Sequence, residues 1–370
     1  MDLMEGPRGR RLCLATMLEW AHHAQGEAGR ELAEAVFFAS HQLDPRRGSS
    51  ATYALATFAV EGSEPAAMPT CTAADVVRAW AEAPRGHVDE HSLMSALTAS
   101  IDAARYWQEA DGEDALAATD EMRGPLTEVA AAIEANDACA WWSAPVDLTS
   151  QWVVEFDYPD FPAGPQPAVD PGEVLASWSE AIAEEEIGAR HSLPTDPTTN
   201  HSGPWWSKPP NALTRTTRSL GADGPAGLWL IEDSHGPQRA LVRRAGVPST
   251  ANVYEIDGPD AWADLCRRFP LDVTASRRHD WYRTTGEAGP WAIPDWSRVA
   301  EHYDAVHLTV AGYLETAGRA IPVGDGASSV LAGWDPDATY WFTAVRAYAD
   351  TEETWVNPDD AGWSRESGEV

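Results

Sequence analysis

The apolar residues of this chain change their spacing near Trp141, and that change constrains the fold more than any other feature. Upstream they recur at intervals of three and four: Leu14, Met17, Leu18 and Ala21; Leu32, Val36 and Phe37; Leu93, Leu97, Ile101 and Ala104; Leu126, Val129 and Ile133. Such a period puts each set on one face of a helix. Thr72, with Asp75 three residues later, reads as a helix start in which a hydroxyl cap and an acid serve each other's backbone amides. Val76, Val77 and Trp80 then supply the apolar face, and Asp44-Pro45 ends the helix before it. Downstream, the run from Gln151 to Phe156 alternates as a strand does.

Further strands are predicted at 227–232, 239–243, 252–256, 304–310, 320–323 and 338–344. Helices are predicted at 172–186, from Pro259 to Arg268 and from Pro294 to Glu301, proline suiting a first helical turn. The proline-rich stretch after Tyr158 suits neither a helix nor a central strand. These elements predict an α+β fold, an N-terminal helical region followed by a mixed, mostly antiparallel β-sheet domain with short helices. The expected division is a helical domain over 1–140, a connecting region with a strand and a short helix over 141–210, a catalytic α+β domain over 211–350 and an acidic tail over 351–370. The glycine fingerprints of dinucleotide and P-loop sites are absent, which argues against a doubly wound nucleotide fold. Trp141-Trp142-Ser143-Ala144-Pro145 is echoed by Trp205-Trp206-Ser207-Lys208-Pro209, which reads as two similar corners of one structure or as coincidence.

The net charge of -32 repels phosphate backbones and anionic membranes, so neither nucleic acid nor membrane is an expected partner. The imbalance is uneven. Residues 207–283 hold 11 Lys and Arg against 9 Asp and Glu, an arginine-rich island in an acidic chain. It can take an anionic group or pair internally. Cys13, Cys71, Cys139 and Cys266 are far apart, with neither zinc nor disulfide-framework spacing. Together with a short, interrupted apolar run near the N-terminus and no segment of membrane-spanning length, they predict a soluble cytoplasmic protein. The 18 tryptophans suit core packing or stacking platforms for a ligand.

Chemistry-bearing residues concentrate between Thr274 and Tyr313. His279 beside Asp280 offers a general base, Tyr282 a proton donor or positioning group, and Arg277, Arg278 and Arg283 a fork for a carboxylate or phosphate. The competing reading of this run is a segment stitched to acidic neighbours by ion pairs. His307 is the second candidate acid/base, with His302, Tyr303 and Arg218 as substrate-binding candidates. His302, Asp304 and His307 lack metal-ligand spacing, and His22 and His23 should point to different sides of a helix. No metal set and no cofactor is named by these patterns. Glu232-Asp233-Ser234-His235-Gly236-Pro237 reads as a polar turn, and the G-x-S-x-G elbow is missing.

The leading expectation is an enzyme of group transfer or hydrolysis, acting on a small anionic or carboxylate-bearing substrate. Its catalytic residues would be His279, His307, Tyr282 and Asp280. The alternative is a non-catalytic acidic binding or inhibitor protein for a basic protein partner.

Overall fold

The computed structural model describes residues 1–23, 26–46, 69–86, 89–158, 170–234, 236–358 and 362–366. His235, residues 159–169 of the proline-rich stretch, 359–361 and the end of the acidic tail lie outside them. The chain divides into two compact units, 1–100 with 108–140, and 101–107 with 141–370.

The first unit is helical: α1 Pro7–His23, α2 Glu27–Leu43, α3 Ala73–Glu82, α4 Glu90–Asp102 as far as Ser100, α5 Gly112–Ala117 and α6 Arg123–Glu134. Its core is the set of apolar stripes read above, with Leu14, Met17, Leu32, Val76, Leu97, Leu126, Val129 and Ile133 inaccessible or nearly so. The capping box at Thr72 and Asp75 forms in both directions. Arg8 and Arg11 are drawn inside and pair with Asp111, Glu113 and Asp114, which neutralises charges that burial alone would penalise.

The second unit is built on a nine-stranded sheet. Its strands are β1 Gln151–Phe156, β2 Arg215–Arg218, β3 Arg239–Gly246, β4 Val253–Ile256, β7 Ala305–Leu308, β10 Thr339–Trp341, β11 Arg346–Ala347, β12 Glu353–Val356 and β13 Ser364–Arg365. They run β13-β12-β3-β1-β2-β10-β7-β4, with β11 also on β3. Every pairing is antiparallel except β4 with β7. Short ladders β5 Pro270–Asp272 with β6 Ala292–Pro294, and β8 Ile321–Gly324 with β9 Ala327–Ser329, stand apart. The helices are α7 Pro171–Ser192, α8 Pro259–Arg268, α9 Thr274–Thr285, α10 Trp296–Val299 and α11 Val310–Thr316. Packing is the tryptophans' main use here. Trp262, Trp281, Trp296, Trp334 and Trp341 are fully buried, and each indole N–H donates to an internal oxygen.

Four local expectations are corrected. The strand predicted at 227–232 is a 3-10 turn over Ala226–Leu228 followed by coil, because Gly224 takes a positive φ and Gly227 lies close against the Thr217 side chain. The strand predicted at 304–310 stops at Leu308. Thr309 instead caps α11, its hydroxyl accepting from the Gly312 amide at 2.9 Å. The helix predicted from Pro294 begins at Trp296, with Asp295 as its cap, and Pro294 ends β6. The stretch read as a tail supplies β12 and β13, and β1 of the expected connection lies inside the sheet.

Candidate functional site

The short strands Val253–Ile256, Ala305–Leu308, Thr339–Trp341 and Arg215–Arg218 are rich in β-branched and aromatic residues, which suit a pleated, packed surface. Their register aligns Glu255 with His307, His307 with Thr339, and Thr339 with Thr216. Directly opposed residues share a face of the sheet, so a polar row crosses an otherwise apolar surface. Arg218, two residues beyond Thr216, joins it, and Gln151 sits opposite Arg218.

Asp337 closes the row. It precedes β10 in the left-handed region at φ 61°, a conformation aspartate tolerates better than most residues. Its Oδ2 accepts from the Thr217 hydroxyl at 2.8 Å and the Arg218 amide at 2.9 Å, while Oδ1 accepts from Arg218 Nε. His307 Nε2 stands 3.3 Å from the same Oδ1, and its Nδ1 stands 2.5 Å from Glu255 Oε2. The Val146 amide donates to the other Glu255 oxygen at 3.0 Å. Arg218 also donates to the carbonyls of Ala144 and Pro145, both at 3.1 Å, and lies over Trp141.

Electrostatics follow from this geometry. Burial works against a charged His307, but the hydrogen bonds to Asp337 and Glu255 outweigh it and hold the imidazole above its ordinary range. Burial likewise opposes charge on Asp337, and the His307 bond with the charges of His307 and Arg218 keeps its carboxyl below the usual range. Two cations thus face two carboxylates in a buried cluster. His307 and Asp337 are each 1% exposed, whereas the Glu255 side chain is 26% exposed and links the row to solvent. With both ring nitrogens engaged, His307 holds a proton. As a donor to both carboxylates it has no free lone pair, and it can accept a proton only after giving one up.

The other expected site residues are distributed over separate places. Arg277, Arg278, His279, Asp280, Tyr282 and Arg283 lie on α9, where adjacent side chains diverge around the helix. Arg277 pairs with Glu185 and donates to the Trp206 carbonyl at 3.3 Å. Arg278 donates to the Pro194 carbonyl at 2.6 Å. Asp280 accepts from the Ser202 hydroxyl at 2.8 Å and the Gly203 amide at 2.9 Å, and pairs with Arg283. Arg283 also donates to the Trp107 carbonyl at 3.1 Å. His279 is buried against the Pro197 carbonyl and the His201 ring. Tyr282 is half-buried, with no side-chain hydrogen bond among the described residues. This is the stitching arrangement: α9 fastens the loop over 194–207. Glu186 adds to it from α7 by accepting the amides of Ala275 and Ser276, both at 2.9 Å.

His302 is exposed beside Phe269, and the Tyr303 hydroxyl accepts from Arg268 at 2.8 Å. Neither touches the His307 row. The geometry therefore gathers His307 and Arg218 through Asp337 and leaves the remaining candidates elsewhere. Asp337 and Glu255 escaped sequence reasoning. The available signal was a glutamate inside the short strand Val253–Ile256, where a solvent-facing role was the simpler reading. In the helical unit, His22 and His23 were expected on different sides, yet both line an open cleft of about 760 Å3 with Arg30 and His91. No group of three or more His, Cys, Asp or Glu among the described residues is placed to hold a metal ion, and no described helix is long and apolar enough to cross a membrane. The chain matches no protein-family model, no curated protein and no solved structure.

Proposed function

We propose that this chain is a non-catalytic acidic binding protein whose partner is a basic protein. The observation that carries the reading is where its charges sit. Arg8, Arg11, Arg215, Arg218, Arg243, Arg277 and Arg283 are each neutralised by an internal carboxylate. The net charge of -32 is accordingly expressed at the surface, where it accelerates encounter with a cationic partner. The same field disfavours nucleic acid and anionic membranes as partners. A cytoplasmic setting belongs to this proposal, supported by four free cysteines, three of them buried.

Salt dependence tests it. Association with a basic protein such as a histone should slow steeply between 50 and 500 mM salt, as exposed charges are screened over a shrinking Debye length. Loss of the chain's biological activity in His307→Gln, with carboxylate reversals silent, would return the weight to catalysis. One observation favours that second reading, a transferase or hydrolase acting on a small anionic substrate: Glu255 carries the His307 proton site to solvent. Turnover abolished in His307→Gln but retained in His279→Ala would support it.

A further inference from the structure

We propose that the open cleft of the helical unit is a binding site for a small phosphate-bearing molecule; this goes beyond the binding-protein reading and does not depend on it. The cleft is lined from α1, α2 and α4 and has a volume of about 760 Å3. Small-molecule sites typically occupy roughly 300–1,000 Å3. Its floor is close to backbone. Gly29 is buried against α1, where a Cβ would stand 2.3 Å from the Ala21 carbonyl. Ala21, Gly26, Gly29 and Ala33 line the cleft where larger side chains would fill it.

Each of the three helices adds a nitrogen donor to this space: His22 from α1, Arg30 from α2 and His91 from α4. Arg30 makes no ion pair and no side-chain hydrogen bond among the described residues. Other arginines of the unit are committed, Arg8 to Asp114, Arg11 to Asp111, Arg78 to Asp75 and Arg85 to Glu128. Arg123 is also unpaired among the described residues, but it is not part of the cleft lining. His22 meets the His23 ring edge-on, with 5.8 Å between centroids. Neither His22 nor His91 has a side-chain hydrogen bond among the described residues. Three donor groups with unused N–H bonds thus share one cleft.

The acids that meet these histidines, Glu19 and Asp89, are both occupied. Glu19 accepts from the Ser95 hydroxyl at 2.9 Å and faces His23 at 3.7 Å. Asp89 accepts from the Ser92 amide at 2.7 Å, a bond that holds its carboxyl below the usual range. The Ser92 hydroxyl in turn meets His23 Nε2 at 3.2 Å. His23 is therefore tied into the wall, while Arg30, His22 and His91 stay unmatched in a chain of net charge -32. A carboxylate offers two oxygens to such donors, and a phosphate monoester offers three, with more charge. The field of the whole chain repels anions. Direct contacts, and not long-range steering, would hold the ligand here.

The test titrates the full chain with inorganic phosphate at pH 7 and constant ionic strength, following the imidazole proton resonances by NMR. His22→Gln and His91→Gln assign the two signals. Both should shift saturably in the wild-type chain, while the exposed His302 of the other unit stays still. Arg30→Gln should weaken the apparent affinity about tenfold, the loss of one charge-assisted contact. Arg123→Gln, at an exposed position of the same unit, should change it less than about twofold. Acetate should bind several-fold more weakly than phosphate. Absence of a saturable shift, a parallel drift of His302, or equal effects of the two arginine variants would overturn the site. Acetate binding as tightly as phosphate would overturn the phosphate assignment. None of these results bears on the binding-protein reading, which is decided by salt-dependent association with a basic protein.

Discussion

Asp337→Ala is the substitution that interrogates the polar row most directly. The carboxylate is 1% exposed and meets Arg218, His307 and the Thr217 hydroxyl at once. Its removal leaves two buried cations facing Glu255 alone. Breaking one side of a buried ion pair costs about 3–5 kcal/mol, mostly because the abandoned charge stays desolvated. For a unit of this size that corresponds to a fall in Tm of roughly 6–20 °C. Asp337→Asn keeps the side-chain shape and the tolerance for positive φ, and should cost less, about 1–3 kcal/mol. The assay is a thermal melt combined with hydrogen exchange. Amides of β7 and β10 should lose protection, while those of α1 in the helical unit serve as an internal reference. A shift below about 2 °C in both variants would refute the claim that these charges are mutually neutralised and desolvated.

Two further perturbations probe the same unit. His307 has a raised pKa in the folded chain, so its contribution is complete below about pH 6.5 and is lost as pH rises through the folded value. The Tm advantage of wild type over His307→Gln should therefore shrink from pH 6 to pH 9. Asp337 is shifted down, so the advantage over Asp337→Asn should disappear as pH falls through the folded value, below about pH 4. An advantage over His307→Gln that grows with pH would contradict the assignment. Gly312→Ala places a Cβ 2.3 Å from the Ile256 carbonyl, a backbone atom that cannot swing away, and should destabilise by about 1–3 kcal/mol. Gly289→Ala, with nothing within 4 Å, should leave the melt unchanged.

Elements whose signal is local were legible in the sequence. The Thr72 cap, the stripes of Leu126, Val129 and Ile133, and the alternation from Gln151 to Phe156 each reflect a period or contact within a few residues. The helix α9 was harder to read. Its face toward the loop carries Arg277, His279 and Asp280 where a core helix would carry leucine, so an apolar period cannot reveal it. Binding partners such as Glu185, Pro194, Ser202 and Trp206 lie some 70 to 90 residues away, and only the fold brings them near. The polar row escaped for the same reason. Glu255, His307, Asp337 and Arg218 come from four separate strands or turns, and the register that aligns them is a property of the assembled sheet.

The identity of the cations bears on function as well as on fold. Of the 26 positive side chains, Lys208 is the sole lysine and the other 25 are arginine. Arginine stays charged when buried and presents a planar fork that can satisfy several acceptors together, whereas a buried lysine tends to surrender its proton. Arg218 uses that fork to hold Asp337 and two backbone carbonyls, and Arg277 to hold Glu185 and Trp206. The sign of the surface follows from the excess of 58 Asp and Glu over 26 Lys and Arg, because each internal pair removes one charge of either sign. A cation committed to internal acceptors does not screen a carboxylate on the outside, and Glu173, Glu180 and Glu184 make no ion pair among the described residues. Replacing Arg277 by leucine should loosen Trp206 and free Glu185 together, whereas replacing Glu180 by lysine should alter only the encounter with a cationic partner.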